Sequence, residues 1–578
     1  MNLLYIWVKD FHCFNNAEMN FTGLKQFHFD FSTFQLMQKN KSSSSLYAMK
    51  EESCIDNVSV IVGSNGSGKT SILDLLYYSC FCVGDTSEYI IIYENNTKLY
   101  CYSNIKDKII TEIVFEDNRY SDLFNIIYYS PLYIKDHKLE TFAGGIDVLF
   151  KSMSTSSLIE EDITNYQNPR LDIDYSKTYK LDKITAHEIL DNERLISFLS
   201  KLNDIDQNQF QIGITLPEKI LCSPDYNQYF KFKAECKNEQ LIKVLDDIKS
   251  KICKTTDKEI FIVNFLFLML CNFATTHLLS ERVGIEQDII EELLLNINTG
   301  YSKESVTVYD TLYNIFNELA FPSKKTGKLE GTIDNSKARI RLQLISFLQA
   351  LDNHFFSSQY LVFDLKKDYE NIQVFYDLYK RIEGTTGFCS FDKYPHISAG
   401  EESELLLYAR IMDGIKQFKE DSINKSVLLF LDETEITLHP KLQQHLIKNL
   451  IYFLNFFYKE HGYRFHIIFA THSPIILSDV PNDNVVFLKK IEDSRYSEVI
   501  ENHKQTFASN IYQLFNDSFF LETMPIGDYA RELINSAIND INECYDDPSK
   551  EVSEQTELIV NMIGDSVFKN ILKERMQK

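Results

Sequence analysis

Several short stretches of the chain carry residue types whose spacing could do phosphate chemistry. Gly63-Ser64-Asn65-Gly66-Ser67-Gly68-Lys69-Thr70 fits the pattern G-x-x-x-x-G-K-[ST] in full. In such a loop the glycines let successive backbone N–H groups turn toward a phosphate, and a following helix adds the positive end of its dipole. Lys69 can reach the β- and γ-phosphates of a nucleotide, and the Thr70 hydroxyl is placed to bind Mg²⁺. Ser71 then opens the run that follows the loop. A second stretch, Val427-Leu428-Leu429-Phe430-Leu431-Asp432-Glu433, is an apolar run ending in two acids. There Asp432 can hold magnesium through water, and Glu433 can polarise an attacking water as general base. A third, Phe465 to Pro474, ends in Thr471-His472-Ser473-Pro474. His472 could hydrogen-bond a γ-phosphate, although a lone histidine after a strand is more often a cap or a surface residue.

Ser398-Ala399-Gly400-Glu401 is the fourth stretch, and it opens the amphipathic run Leu405 to Ile411. Ser398 and Glu401 are spaced as a helix capping box, which explains them without any ligand. The same capped helix end, with its glycine, also offers N–H groups and a hydroxyl to an anion.

The elements that must position these residues are legible around them. Val58 to Val62 is a short apolar strand before the glycine loop, and Ser71 to Leu76 has helical spacing after it. The runs ending at Asp432 and Ala470 are apolar throughout, as parallel strands buried on both faces are. Leu3 to Val8 and Phe27-His28-Phe29 read as a hairpin-like opening, and Tyr89 to Tyr93 begins more antiparallel strands. From about residue 150 to 355 the texture is helical, with helices expected at Ala186–Leu190, Leu241–Lys251, Ile260–Leu279 and Ile285–Leu294. No sustained heptads argue for a coiled-coil arm. Ser323 to Lys328 reads as a loop, Ser42 to Ser45 as another, and strand-like sequence resumes at Tyr360 to Phe363.

The bulk numbers bound the rest. With 578 residues, two or three domains or one elaborated domain are expected. A net charge of −24 argues against a surface coated for non-specific nucleic-acid binding. The basic stretch Lys324, Lys325, Lys328, Lys337, Arg339 and Arg341 could touch phosphates, and a solvated loop and helix face explains it equally well. The 11 cysteines form no CxxC pair, so neither a zinc ribbon nor a disulfide framework is indicated. Such usage, with a start lacking a signal-peptide pattern, points to a cytoplasmic protein. The greasiest run, Ile260 to Ala274, is shorter than the ~20 residues of a membrane span and reads as a buried core helix.

These motifs, in this order, resemble the ABC-class ATPases of the SMC/RecF-like branch. Asp432-Glu433-Thr434-Glu435-Ile436-Thr437-Leu438-His439-Pro440 is similar to that branch's D-E-P-E-x-x-L-H-P, and Ala470 to Pro474 to its T-H-S-P. Leu4 to Phe11 is similar to the strand that begins these proteins. The resemblance implies an α/β P-loop head, with a mixed sheet and antiparallel N-terminal strands, split by a largely helical insertion. It implies ATP and Mg²⁺ as ligands, and it makes Ser398, Ala399, Gly400 and Glu401 a signature closing in trans over the nucleotide of a second subunit. A two-fold homodimer with composite sites follows. The expected layout is 1–150 for the N-terminal half of the head and 151–355 for a partner-docking insertion. Residues 356–490 would form the C-terminal half and 491–578 a helical tail.

A narrower resemblance lies in the tail. Thr506 to Tyr512, Asp517 to Leu521 and Ile526 to Ala530 are similar to the ATPase subunit of Septu-type anti-phage systems, also found beside retron reverse transcriptases. It implies a separate HNH-type nuclease partner, and beside a retron a reverse transcriptase with its msDNA. The chain departs from the pattern at Thr434, which replaces a proline, at Ala399, and at His12, where relatives often have arginine or lysine. No glutamine marks a Q-loop, and Ile126 to Pro131 is the segment standing in its place. Asp172-Ile173-Asp174 reads as an exposed acidic turn rather than a nuclease centre. A DNA-repair ATPase, an ATPase of the overcoming-lysogenisation type without its nuclease, and a transporter energy subunit are the rival readings; the large insertion disfavours the last.

Overall fold

The computed structural model describes residues 2–40, 53–81, 87–95, 97–116, 125–133, 142–144, 148–166, 183–203, 212–252, 256–278, 291, 294–295, 307–321, 335–357, 359–382, 388–418, 425–500, 504–518, 526–546 and 550–576. The loops at Ser42–Ser45 and Ser323–Lys328, the turn at Asp172–Asp174 and most of the helix expected at Ile285–Leu294 lie outside them.

A mixed sheet of twelve strands organises the head, in the order β7-β6-β1-β2-β17-β16-β5-β15-β14-β8-β10-β9. Its strands are β1 (Asn2–Phe11), β2 (Phe14–Asn20), β5 (Ile55–Gly63), β6 (Tyr89–Asn95), β7 (Lys98–Ser103), β8 (Asn125–Tyr129), β9 (Phe142–Gly144) and β10 (Val148–Ser152), then β14 (Ser426–Asp432), β15 (Arg464–Thr471), β16 (Val485–Lys490) and β17 (Ser497–Val499). The run from β16 through β5, β15, β14 and β8 to β10 is parallel, and β7, β6, β1 and β2 form an antiparallel wing. This is the P-loop ATPase fold that the apolar strands and the glycine loop led one to expect.

Period-two alternation explains why the central strands are apolar throughout. Val427, Leu429 and Leu431 of β14 face one core, and Leu428 and Phe430 face the other. β15 does the same with Phe465, Ile467 and Phe469 against Ile468 and Ala470. With both faces covered, no position on these strands can be polar without a partner. Helix α1 (Lys69–Phe81) covers the second face through Ile72, Leu73, Leu75 and Leu76. The helix that the expected signature opens (Ala399–Lys416) lies on the first, through Leu405, Tyr408, Ile411 and Ile415.

The opening is built differently from the expected hairpin. β1 pairs with β2, whereas Phe27 to Phe29 belong to β3 (Lys25–Asp30), which pairs with β4 (Gln35–Asn40) in a separate two-stranded sheet. Side chains from this ribbon, Phe27, Phe29 and Leu36, close a small core over Leu4, Tyr5 and Trp7.

The inserted region is largely helical, with α2 (Thr155–Tyr166), α3 (Lys183–Asn203), α4 (Asn227–Glu235), α5 (Glu239–Ser250) and α6 (Asp257–Leu278). It also holds a three-stranded antiparallel sheet, β12-β11-β13, made of β11 (Lys219–Pro224), β12 (Leu361–Asp364) and β13 (Cys389–Tyr394). The strand expected at Tyr360–Phe363 is therefore present but joins this small sheet instead of the head. α6 runs for 22 residues, so length does not exclude a span as the shorter apolar run suggested. Burial answers the question instead: Phe265 to Cys271 are 0% exposed inside the protein, and Asn264 accepts a hydrogen bond from the Tyr226 hydroxyl at 2.6 Å.

A buried ionic cluster ties the insertion to the Ala399–Lys416 helix. Arg410 donates to Asp191 of α3 from both Nε and Nη2, to His187 at 3.2 Å and to Thr155 at 3.0 Å. Arg194 binds Asp162, Asp191 and Asp413, and His187 meets Asp162 at 2.7 Å. Burial alone would raise the Asp191 carboxyl, but the Arg410 guanidinium outweighs it and holds it well below the usual carboxylate range.

The C-terminal segment, read as wholly helical, begins with β17, which bridges β16 to β2. Three helices, Asp528–Asp546, Glu554–Met562 and Ser566–Met576, then pack on one another around Ile541, Val560 and Leu572.

Candidate nucleotide site

Register places the candidate residues on one edge of the sheet. Thr471 of β15 pairs with Val62 of β5, and Asp432 of β14 pairs with Ala470 of β15. Gly63, Glu433 and His472 thus leave three adjacent parallel strands at the same level. In parallel sheets this carboxyl edge is where loops are free to meet a ligand.

Backbone geometry explains the glycines. Gly68 has φ +98, and a Cβ there would sit 2.2 Å from the Cys13 sulfur. A Cβ on Gly63 would meet the Leu488 carbonyl and the Ser67 hydroxyl at 2.4 Å each. Neither position accepts a side chain, so the loop's path is set by backbone alone. Ser67 N–H donates to the Ser64 carbonyl at 3.1 Å, Asn65 is exposed at the loop's tip, and Gly66 has φ +73. Ser71, on the first turn of α1, lies 3.9 Å from the Cys13 sulfur.

Lys69 is buried, and its ammonium donates to His472 Nε2 at 2.7 Å and to the Gly63 carbonyl at 3.3 Å. Burial lowers its pKa, opposed by Glu433, Asp432 and Glu435. Burial, and after it the Lys69 charge, pushes His472 down to about 4. The imidazole is therefore neutral at pH 7, accepting at Nε2 and carrying its proton on Nδ1. Glu433 lies 3.7 Å from His472 and holds φ +50, with its N–H bonded to the Ala470 carbonyl at 2.9 Å. A non-glycine residue in that region stores strain, and the turn fixes the carboxylate at the strand's end.

Asp432 is more buried than its neighbours Glu433 and Glu435. Its Oδ2 accepts from the Thr70 hydroxyl at 3.0 Å and from the Tyr128 hydroxyl at 3.3 Å. Its Oδ1 is buried and, among the described residues, takes no hydrogen bond. Burial, with the Glu433 charge, raises its pKa to about 6 against the Thr70 bond. This donor set fits a hard divalent cation: a hydroxyl beside a carboxylate, one of whose oxygens has spare lone pairs, next to a loop shaped for phosphates.

The turn after β14 does a second job. Glu435 is buried, and its Oε1 accepts from the Thr471 hydroxyl at 2.6 Å and from His472 N–H at 2.8 Å. Gln443 accepts from the Ser473 hydroxyl at 2.7 Å and donates to the Leu438 carbonyl at 2.9 Å. His439 caps the helix Pro440–Tyr458 by accepting from Lys441 N–H, and Pro440 opens that helix. Thr434, in the place of a proline, is buried within this turn. Glu435, Gln443 and Tyr128 are the residues that sequence reading left without roles. Glu435 was visible as the second acid of its motif, but nothing marked Tyr128 or Gln443, whose parts depend on contacts across 304 and 30 residues.

Other candidates sit apart from this centre. Ser398 and Glu401 form the expected capping box, with Ser398 N–H donating to Glu401 Oε2 at 2.9 Å. Ala399 begins the helix, and a Cβ on Gly400 would lie 3.3 Å from the Thr437 carbonyl and 3.1 Å from Leu442. Among the described residues their hydrogen bonds run to one another and to Thr215, not to the phosphate loop of the same chain. His12 sits in the β1–β2 turn at φ +50, stacked on Phe11, with Nδ1 3.6 Å from Asp74. In the basic stretch, Arg341 is buried over the Phe273 ring and cannot face phosphate, whereas Arg339 is exposed beside Phe321. The lysines 324, 325 and 328 lie outside the described residues.

Fold and site together have the form of a P-loop ATPase domain. Residues 398–477 match the AAA ATPase domain family. Over 273 residues the chain is 25% identical to the DNA replication and repair protein RecF of Clostridium tetani (strain Massachusetts / E88), an alignment covering 45% of this chain and 68% of that protein.

Proposed function

We propose that this chain binds ATP with Mg²⁺, hydrolyses it slowly, and dimerises around it as the regulatory subunit of an anti-phage complex with a separate nuclease effector. The observation that carries the ATPase reading is the shared strand edge holding the glycine loop, Asp432-Glu433 and Thr471-His472. Backbone N–H groups of residues 66–70 bind the phosphates, and Lys69 exchanges its bond to His472 for the β- and γ-phosphate oxygens. Thr70 and Asp432 are the residues that would hold magnesium, which when bound neutralises charge on those phosphates. Glu433 takes a proton from the attacking water as its oxygen bonds to the γ-phosphorus; the bond to the β-bridging oxygen breaks, and ADP and phosphate leave. His472, whose backbone N–H is held by Glu435, can donate to the γ-phosphate from Nε2 once Lys69 has left that nitrogen and the ring's proton has moved to it.

In the dimer the Ser398–Glu401 helix end of one subunit meets the nucleotide of the other, which is consistent with its hydrogen bonds lying away from its own phosphate loop. The defence reading rests on the resemblance of Thr506–Tyr512 and Ile526–Ala530 to Septu-type ATPase subunits. The RecF similarity favours a second reading, a DNA-repair ATPase.

Nucleotide binding and turnover test the core of this reading. Lys69→Ala should lose ATP binding by at least about tenfold, since it removes the charge facing the phosphates. Glu433→Gln should bind ATP, accumulate as a dimer and turn over about a hundredfold slower. Normal steady-state turnover by Glu433→Gln would overturn the base assignment. Isolation of the native complex separates the two roles: a co-purifying nuclease supports defence, and DNA-stimulated hydrolysis without one supports repair.

A further inference from the structure

We infer that Tyr128 is a positioning residue for the metal-binding carboxylate, its hydroxyl fixing Asp432 so that one oxygen stays available to a divalent cation. The inference deepens the proposed reading and rests on Thr70 and Asp432 being the Mg²⁺ site.

The geometry comes from strand pairing. β8 lies beside β14 in parallel register, with Tyr128 opposite Phe430 and Tyr129 opposite Leu431. Tyr128 is 2% exposed, and its ring lies 6.3 Å from that of Phe430. A tyrosine has two side-chain torsions, and packing on both sides leaves it little freedom, so the hydroxyl is held at the tip of a rigid arm. That hydroxyl reaches Asp432 Oδ2 at 3.3 Å, the same oxygen that Thr70 reaches at 3.0 Å. Two donors on one oxygen set the plane of the carboxylate. The other oxygen, Oδ1, is buried without a hydrogen bond among the described residues.

That asymmetry argues for a ligand. A buried carboxylate oxygen without a hydrogen bond is costly to desolvate and keeps its lone pairs for a cation. Here both available donors converge on Oδ2. A metal ion or its coordinated water is the chemistry that Oδ1 can still accept. The division of labour also removes a conflict. When the Thr70 hydroxyl oxygen turns to a cation, its hold on Asp432 weakens, and the Tyr128 bond keeps the carboxylate in place. A phenol keeps its proton far above neutral pH, so this donor does not switch off over the working range. The segment Ile126–Pro131, where no glutamine was found, thus contributes through a residue inside the strand and not beyond it.

Tyr128→Phe tests this, because it keeps the ring and its packing and removes the hydroxyl alone. A fluorescent ATP analogue reports nucleotide binding, first in EDTA and then as Mg²⁺ is titrated in. Expected is unchanged binding in EDTA and a Mg²⁺ midpoint raised about tenfold, the usual scale for loss of a residue that orients a metal ligand. Asp432→Asn serves as the reference, and Tyr128→Phe added to it should shift the midpoint no further. If Asp432→Asn moves the midpoint and Tyr128→Phe leaves it within twofold of wild type, the positioning role is overturned. If neither moves it, the metal-site reading fails and takes this inference with it. An additive shift in the double variant also overturns it, since Tyr128 would then act by a route other than Asp432. Should Tyr128→Phe fold poorly, its Mg²⁺ midpoint is read on the folded fraction, isolated by gel filtration in EDTA, and compared with wild type in the same way.

Discussion

His466 shows how one buried residue can join two parts of the sheet. It lies on β15, fully enclosed, and its Nδ1 accepts from the Leu3 N–H of β1 at 3.1 Å. Its Nε2 faces the Ser59 hydroxyl at 2.9 Å, and because Ser59 gives its own proton to the Phe21 carbonyl, Nε2 is the donor. The ring is therefore a neutral tautomer fixed by its neighbours, and burial pushes its pKa down to about 3. In the unfolded chain the same group titrates near 6.5, so below that pH the unfolded state takes up the proton first. Stability is lost as pH falls from about 6.5 toward 3, by about 1.4 kcal/mol per unit. Asp432 acts in the opposite sense between about 6 and its ordinary value, since the folded state takes that proton first. Comparing wild type with His466→Gln in urea isolates the histidine. The stability difference should shrink by about 2 kcal/mol between pH 7 and pH 5. A difference that does not vary with pH would show that His466 is not held neutral.

Between elements, the Arg410 cluster is a buried polar link. Arg410 is 4% exposed on the Ala399–Lys416 helix, and Asp191 is 7% exposed on α3, so their charges have little access to water. Breaking such a pair strands a buried charge at a cost of about 3–5 kcal/mol, whereas removing both partners can be nearly neutral. Because Asp191 keeps Arg194 at 2.9 Å, Arg410→Met should lower unfolding stability by less than that, about 2 kcal/mol, and Asp191→Leu made together with it should recover part of the loss. Urea midpoints check both. A loss under about 1 kcal/mol for Arg410→Met would place the cluster in solvent-screened surroundings. Sequence gave no sign of this link: Arg410 and Asp191 are separated by 219 residues, and each looks like an ordinary charged residue on its own helix.

At the scale of the molecule, one chain supplies one glycine loop and one signature, which sit in separate places. A composite site built by two chains predicts complementation between unlike defects. Lys69→Ala lacks a working phosphate loop, and Ser398→Arg blocks the capped helix end. Neither should turn over alone. Mixed one to one, half of the dimers carry one intact loop facing one intact signature, so hydrolysis should return to roughly a quarter of wild type. No recovery on mixing, with both proteins folded and the mixed dimer formed, would mean that the two motifs serve a site within one chain.

Much of the site was legible because its motifs are local. The glycine spacing, the acids ending an apolar run and the Ser398–Glu401 capping box each depend on residues within one turn or one strand end, and local backbone chemistry writes them into the sequence. The antiparallel opening was half legible: β1 was clear, but its partner β2, Phe14 to Asn20, has the adjacent exposed Asn15 and Asn16 and so no clean alternation. Tertiary structure alone decided which strands stand side by side, and so that Lys69 meets His472 across 403 residues and Tyr128 meets Asp432 across 304. It also put the strand Leu361–Asp364 into a small separate sheet, since a four-residue alternating run pairs with whichever edge the fold offers. Pairing between distant segments depends on which buried faces must be covered. That is a property of the packed whole, and no single stretch of sequence contains it.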